Sequence, residues 1–397
     1  MKKALLISIF VFIVFLISGR GVHTYHHFFV PLAKAFLSGR VYVDQMQSEL
    51  HEMIPEKEIQ TGVYEELIDG SFGKYYVIYP PLPAVILMPF VALFSDQTNQ
   101  SVVSMLVAAI SVGLAYLVFK EIIDEKKAFL LSILYAFGSM LWYHSVIGSA
   151  WYFAQVCSLL FIWLAIWLTI KQRSIFLVGL SVGLAYLCRF PAILALPFFI
   201  IASGDLVLKN KRINWQAILK LASGFAIFFV ISLIYNYVRY KTISHYGYTL
   251  LELRPYNIAN EYSRGSYDLT YIARNLEAIF WSMPERIEGF PYLAPKSWAM
   301  SLWFVFPAIF ITIFAPLRNK LTRASIVAIL CILPSALFHG GVGTSQFGYR
   351  FALDFMPFML ILIALAIKSK INFWHILLIS LSILVNLWGI WFTFWRS

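Results

Sequence analysis

Charged side chains are scarce in this sequence. They make up 13% of its 397 residues, whereas 60% are hydrophobic and the mean hydropathy is +0.75. Soluble globular domains carry roughly a quarter charged residues, so the composition excludes that class and predicts an integral membrane protein. The net charge of +11 does not predict a nucleic-acid partner, because Lys and Arg form short clusters between apolar runs, the placement that sets membrane orientation.

Cysteines are few, and the common catalytic motifs are absent from the sequence. Cys157, Cys188 and Cys331 each lie inside an apolar run without CxxC spacing, so we expect neither a disulfide framework nor a cysteine metal site. The sequence has no P-loop, GxGxxG, HExxH or Ser-His-Asp spacing. It also has no internal repeat and no low-complexity linker, and we therefore expect a single integral membrane domain over residues 1–397.

The sequence is rich in long apolar runs. Eleven of them can cross a hydrocarbon core of about 30 Å, which predicts an all-α polytopic membrane protein with about 11 transmembrane helices. The runs lie near residues 4–19, 100–119, 128–144, 150–170, 174–189, 191–208, 216–238, 298–316, 324–339, 353–367 and 373–395. Two shorter amphipathic segments, 27–38 and 269–283, predict helices on the outer membrane surface.

The orientation depends on the run 80–95, which carries four prolines. Prolines remove backbone donors and bend a helix, so we expect this run to lie in the outer interface without crossing. The basic connections then fall on the side of Lys2 and Lys3, as the positive-inside rule requires. The amino terminus is thus predicted to be cytoplasmic. Outer loop one (20–99) and outer loop two (239–297) then face outward, and we expect them to pack together.

Three local motifs resemble those of a known superfamily. They are LAKAFLSGRVY at 32–42, KYYVIYPPLP at 74–83 and GLSVGLAYLCRFP at 179–191. With the long first outer loop, they resemble the GT-C superfamily of integral membrane glycosyltransferases, such as the protein O-mannosyltransferases and the aminoarabinose transferases. The resemblance implies a GT-C-like helical bundle in the plasma membrane. It also implies sugar transfer on the outer face, from a polyprenyl-phosphate donor to a lipid, glycan or protein acceptor of the cell envelope.

The base that deprotonates the acceptor is expected in outer loop one. GT-C enzymes usually carry an acidic residue directly after the first helix, but this chain has His-Thr-Tyr-His-His at 23–27 and no carboxylate before Asp44. A carboxylate or an imidazole can take the proton, so the candidate catalytic residues are Asp44, Glu49 and His26. The histidine spacing could present imidazoles to a metal, but no acidic ligand is paired with it. We predict no metal site and leave a divalent cofactor open.

Arginines are expected to bind the donor phosphate, because a guanidinium presents a planar fork to phosphate oxygens. Arg189 and Arg350 lie at the outer ends of apolar runs, where charges are costly and usually functional or paired. Each has an alternative interpretation. Arg189 could extend to the lipid headgroups, and Arg350 could form an ion pair with Asp354 at i+4.

Three further residues are expected near the substrate: Tyr349 at the donor phosphate, and His144 and Tyr79 in the wall of the cavity. The partners would then be the donor, the acceptor and membrane lipids. Two other functions stay open. A transporter or flippase for a lipid-linked saccharide would carry charges at mid-span and an internal repeat. A non-catalytic protein of envelope assembly would not need Asp44 or Glu49, together with Arg189 and Arg350, to converge on one outer cavity.

Overall fold

The protein, described here by a computed structural model, is built almost entirely of helices. The structure describes residues 1–20, 26–45, 53–61, 71–204, 208–209, 212–243, 247–251, 264–343 and 346–396. The α-helices are α1 (Lys2–Gly19), α2 (Phe29–Leu37), α3 (Glu56–Thr61), α4 (Leu82–Phe94), α5 (Gln100–Ile122), α6 (Glu125–Phe137), α7 (Leu141–Ile147), α8 (Ala150–Ile170), α9 (Ile175–Cys188), α10 (Leu196–Ala202), α11 (Trp215–Tyr240), α12 (Gly247–Leu251), α13 (Ile272–Phe280), α14 (Leu302–Val305), α15 (Lys320–Leu337), α16 (Met356–Ala366) and α17 (Phe373–Phe394). Segments of 3₁₀-helix lie at Ser95–Gln97, Phe190–Ala195, Leu269–Tyr271, Pro307–Phe314 and Arg350–Phe355.

Six helices in the described part of the chain are long and apolar enough to cross a membrane. They are α1, α5, α8, α11, α15 and α17. Helices α6 and α7 make a seventh candidate if the 49° bend between them lies inside one span. The predicted all-α polytopic membrane fold is therefore confirmed, but the count of 11 transmembrane helices is not.

Proline explains much of the difference in the number of spans. Three of the predicted spans fold as a short 3₁₀ segment joined to a short α-helix, with Pro197, Pro307 or Pro357 at or next to the junction. Proline lacks the N–H that continues an α-helix and clashes with the preceding turn. Because a 3₁₀-helix rises about 2.0 Å per residue, the segment from Arg350 to Ala366 is still roughly 28 Å long. Hydropathy thus predicts how long an apolar run is, but not whether its helix is continuous.

Helices α9 and α11 pack with almost no space between their backbones. A Cβ atom added at Gly179 would lie 2.1 Å from the backbone oxygen of Leu221, and one at Gly224 would lie 2.3 Å from that of Phe176. Small residues at such positions let membrane helices approach closely. This contact fixes the position of α9 against α11, and Arg189 caps the end of α9.

Outer loop one contains a small antiparallel sheet, which the sequence did not predict. Its strand order is β1 (Val43–Gln45), β3 (Phe72–Val77), β2 (Met53–Pro55). The remaining strands form two-stranded ribbons, β4 (Leu208–Lys209) with β5 (Arg212–Ile213) and β6 (Glu285–Arg286) with β7 (Leu293–Ala294). The two predicted amphipathic helices are present, the first as α2 and the second as a 3₁₀ turn that continues into α13.

The two outer loops meet at Arg239, in the last turn of α11. This side chain is only 2% exposed. Its Nη1 donates to the carbonyl oxygen of Val77 in β3, and its Nη2 donates to Oδ1 of Asn236 at 2.8 Å. The ring centroid of Tyr240 lies 6.2 Å from that of Tyr76. The start of outer loop two is thus packed on the sheet of outer loop one, as expected.

Single cysteines can test the predicted orientation in a variant without the three native cysteines. Lys126, exposed at the start of α6, and Glu288, exposed between β6 and β7, are suitable positions. If the amino terminus is cytoplasmic, a membrane-impermeant maleimide added to intact cells labels Glu288→Cys and leaves Lys126→Cys unlabelled. Inverted vesicles should show the reverse. Labelling of Lys126→Cys from outside only would contradict the orientation.

Candidate functional site

The side chain of Arg189 is held by the carboxylate of Asp354. Its Nε lies 2.7 Å from Oδ1 and 3.0 Å from Oδ2 of Asp354. The two side chains are 18% and 10% exposed, so the pair is largely shielded from water. Since Arg189 caps α9 and Asp354 belongs to the 3₁₀ segment Arg350–Phe355, this ion pair joins two elements that are far apart in sequence.

Gln155 adds a third element to the same contact. It is a fully buried polar residue on α8, and its Nε2 donates to Oδ1 of Asp354 at 3.1 Å and to the carbonyl oxygen of Arg350 at 2.9 Å. A buried carboxylate needs partners for its remaining lone pairs, and this amide supplies one. The position of the 3₁₀ segment that carries Arg350 is thereby fixed from both α8 and α9.

Arg350 has an aromatic environment instead of a carboxylate partner. Its guanidinium carbon lies 4.9 Å from the ring centroid of Phe351, 5.6 Å from that of Trp151 and 5.9 Å from that of Tyr152. Among the described residues Arg350 has no ion pair, and its buried Nε has no hydrogen-bond partner. Ring faces attract a cation without neutralising it, so the positive charge remains available to an anion.

Both predicted arginines lie around Phe351. The guanidinium carbon of Arg189 is 5.5 Å from the centroid of this ring, on which Arg350 also packs. With Asp354 as the neighbouring carboxylate, the group carries one net positive charge. We call Arg189, Arg350, Phe351, Asp354, Gln155, Trp151 and Tyr152 the arginine–aromatic cluster.

Two histidines border the cluster. His144 is fully buried, its ring lies 4.3 Å from that of Tyr152, and neither ring nitrogen has a hydrogen-bond partner within the described residues. His339 lies 5.1 Å from Phe351, ring to ring. Burial lowers the pKa of His339 to about 4, and the positive charge of Arg350 acts in the same direction. The His339 ring is therefore neutral near pH 7.

His26 brings the segment after α1 to the edge of the cluster. Its ring centroid lies 4.9 Å from that of Trp151, and its carbonyl oxygen accepts a hydrogen bond from the backbone N–H of Ala150 at 2.8 Å. His23 lies outside the described residues. The described part of the chain holds no group of three or more His, Cys, Asp or Glu side chains that could bind a metal ion.

The other predicted site residues have different surroundings. Asp44, on β1, forms an ion pair with Arg40, and 56% of the Asp44 side chain is exposed. Glu49 lies outside the described residues. The ring of Tyr79 packs on Phe29 at 5.6 Å. Tyr349 lies next to the cluster, with its ring 5.5 Å from Phe351, but its hydroxyl is hydrogen-bonded to Asn275 and to the carbonyl oxygen of Ala336. Of the predicted residues, the structure places Arg189 and Arg350 in the cluster and Tyr349, His144 and His26 next to it.

Sequence reasoning missed Gln155 and the pairing of Asp354 with Arg189. A polar residue inside an apolar run is a signal of a buried partner, and Gln155 gave that signal within the run 150–170. Asp354 was considered as the partner of Arg350, but it pairs with Arg189.

The helical architecture makes this chain an all-α polytopic membrane protein. Residues 79–235 match the family model for dolichyl-phosphate-mannose-protein mannosyltransferase. The matched part runs from the approach to α4 into α11 and contains Arg189. Comparison with curated proteins finds no match. The family match supports a GT-C superfamily glycosyltransferase, as the sequence motifs had indicated.

Proposed function

We propose that the protein transfers a sugar from a polyprenyl-phosphate donor to a lipid, glycan or protein acceptor on the outer face of the plasma membrane. The observation that carries the proposal is the cation of Arg350, which has aromatic rings around it and no carboxylate partner among the described residues. A transferase of this class must stabilise the phosphate that leaves as the bond to the sugar breaks. The matching family is named for dolichyl-phosphate mannose, a lipid-linked sugar donor, and this supports the same proposal.

In this proposal Arg350 binds the donor phosphate and Arg189 positions the segment that carries it. Arg189 is already neutralised by Asp354, whereas the guanidinium of Arg350 can still donate to an anion. A charge-assisted hydrogen bond from arginine to phosphate is about twice as strong as a neutral one. Arg350 would thus stabilise the polyprenyl phosphate both in the bound donor and as the leaving group.

The acceptor hydroxyl attacks the anomeric carbon of the sugar. A new carbon–oxygen bond forms while the bond to the phosphate oxygen breaks, and the hydroxyl proton passes to a base. We assign that base to His26, because its ring borders the cluster at Trp151 and because it follows α1, where the resemblance places the catalytic base. Asp44, paired with Arg40, and Glu49 remain the alternative bases.

The positions of Arg189 and Arg350 at the ends of their helical segments, not at mid-span, count against the transporter. The gathering of several elements at one cluster counts against the assembly protein, although Asp44 is not part of it. Arg189, Arg350, His144 and His26 belong to different elements, yet all of them lie at one cluster. A protein that only scaffolds other components has no need for such convergence of chemically active groups.

Transfer by the purified protein tests the proposal. We expect it to move radiolabelled sugar from at least one member of a panel of polyprenyl-phosphate sugars to membrane acceptors. His26→Ala should lower turnover by about a hundredfold, the lower end for loss of a general base. His27→Ala is the matched control, since His27 is its exposed neighbour, and should change turnover by less than about twofold.

Two negative results of this experiment would contradict different parts of the proposal. Absence of transfer with every donor would contradict the proposed function. Full turnover of His26→Ala would instead return the base to Asp44 or Glu49 and leave the transferase proposal intact.

A further inference from the structure

A cavity of about 430 Å³ lies between α1, α7 and α17. Aliphatic side chains of α1 and α17 and the rings of Trp142, Trp391 and Trp395 form its walls. Cavities of a few hundred Å³ are the usual size of small-molecule sites. None of the residues that line this cavity belongs to the arginine–aromatic cluster, so the proposed transfer reaction does not explain it.

The walls are preformed and present almost only carbon. The indole N–H of Trp142 donates to the hydroxyl oxygen of Ser18 at 3.0 Å, and the indole N–H of Trp395 donates to the carbonyl oxygen of Ser18, also at 3.0 Å. With these donors occupied, the cavity suits an apolar chain. Its aliphatic rim is open to the bilayer side of the bundle, because Ile17 is 60% and Leu387 is 45% exposed.

Two arginines lie beside Trp395 of the cavity wall, Arg20 on its ring and Arg396 next to it in the chain. The guanidinium carbon of Arg20 lies 3.9 Å above the ring of Trp395, and that of Arg396 lies 4.6 Å from the ring of Phe392. Neither arginine has an ion pair with any described residue. A guanidinium group without a carboxylate partner attracts an anion, and a phosphate at the membrane surface is the anion within reach.

We propose that this cavity binds an anionic phospholipid of the surrounding membrane. One acyl chain occupies the space between α1, α7 and α17, and the headgroup phosphate lies between Arg20 and Arg396. The combination of an apolar cavity with a cationic rim favours a phospholipid over a neutral lipid. The occupant is a membrane lipid distinct from the sugar donor, whose phosphate we assign to Arg350.

Native mass spectrometry of the full-length protein in detergent can measure this binding without any sugar donor. Palmitoyl-oleoyl phosphatidylglycerol should bind at least about tenfold more tightly than the phosphatidylcholine with the same chains. The double variant Arg20→Asn/Arg396→Gln should lose that preference. Asparagine is chosen at position 20 because the backbone there has φ 45°, a conformation that asparagine adopts readily.

Two further variants separate the headgroup from the chain. Arg318→Gln/Arg323→Gln removes two exposed arginines from the connection before α15 and from its first turn, and should keep the preference for phosphatidylglycerol. Leu387→Trp fills the cavity and should weaken binding of both phospholipids, with the folding of the protein checked by its unchanged melting temperature.

Equal affinity of the wild-type protein for the two phospholipids would overturn the proposal, as would a preference that survives in Arg20→Asn/Arg396→Gln. Displacement of phosphatidylglycerol by an equimolar amount of polyprenyl phosphate would also overturn it, because the cavity would then belong to the donor. None of these outcomes depends on whether sugar transfer is observed.

Discussion

Replacement of Arg350 by alanine is expected to lower sugar transfer per folded molecule by about 2–4 kcal/mol in transition-state stabilisation, roughly 30-fold to 1,000-fold in rate. The guanidinium is held among Phe351, Trp151 and Tyr152, so its loss removes a preorganised donor to the leaving phosphate. Arg350→Lys should also be impaired, although less severely, since an ammonium keeps the charge but cannot reproduce the planar fork.

The measurement is turnover of variants that are first shown to be folded by size-exclusion chromatography and thermal melting. Arg286→Ala is the matched control, because Arg286 is an exposed arginine of outer loop two, on β6, and its loss should change turnover by less than about twofold. Wild-type turnover in both Arg350→Ala and Arg350→Lys would remove Arg350 from the phosphate site.

Replacement of Arg189 by alanine is expected to act mainly on stability. It leaves the carboxylate of Asp354, only 10% exposed, with Gln155 but without a cation. Removal of one member of a buried ion pair costs about 3–5 kcal/mol, because a charge remains uncompensated. The double variant Arg189→Met/Asp354→Leu removes both charges and should recover most of the lost stability.

Unfolding in detergent micelles by heat or denaturant measures this difference. The surface pair of Lys171 and Glu121, with an N···O distance of 2.6 Å and side chains more than a third exposed, provides the control. Glu121→Ala should cost no more than about 1 kcal/mol, because exposed ion pairs contribute little. If Arg189→Ala keeps its stability and loses only activity, then Arg189 acts on the donor and not through Asp354.

The sequence was sufficient to locate the two arginines of the cluster. Charges at the ends of apolar runs are rare enough to be noticed, and Arg189 and Arg350 do converge on Phe351. It could not predict their partners. Asp354 follows Arg350 at i+4, which would place the two side chains on one face of an α-helix. In the 3₁₀-helix that actually forms at Arg350–Phe355, with three residues per turn, position i+4 is rotated by about 120°.

The base was harder to predict for a different reason. Apolar periodicity predicted the surface helices, but the short strands of outer loop one have too few residues to show a pattern. The sheet places Asp44 on β1 beside Arg40, while a single backbone hydrogen bond between Ala150 and His26 brings the histidine to Trp151. Contacts between residues far apart in sequence depend on the path of the whole chain, so no local sequence pattern indicates them.

The close packing of α9 on α11 has a consequence for inherited sequence variation. A methyl group at Gly179 or Gly224 meets backbone atoms of the other helix and therefore forces the two helices apart. Arg189 caps the end of α9, and the last turn of α11 carries Arg239, which donates a hydrogen bond to the carbonyl oxygen of Val77 in the sheet. Variants in the middle of these helices can thus mimic the loss of a catalytic residue. When loss-of-function alleles are mapped onto this chain, substitutions of Gly179 or Gly224 should be classed as variants that displace α9 from α11, and not as variants that remove a catalytic group.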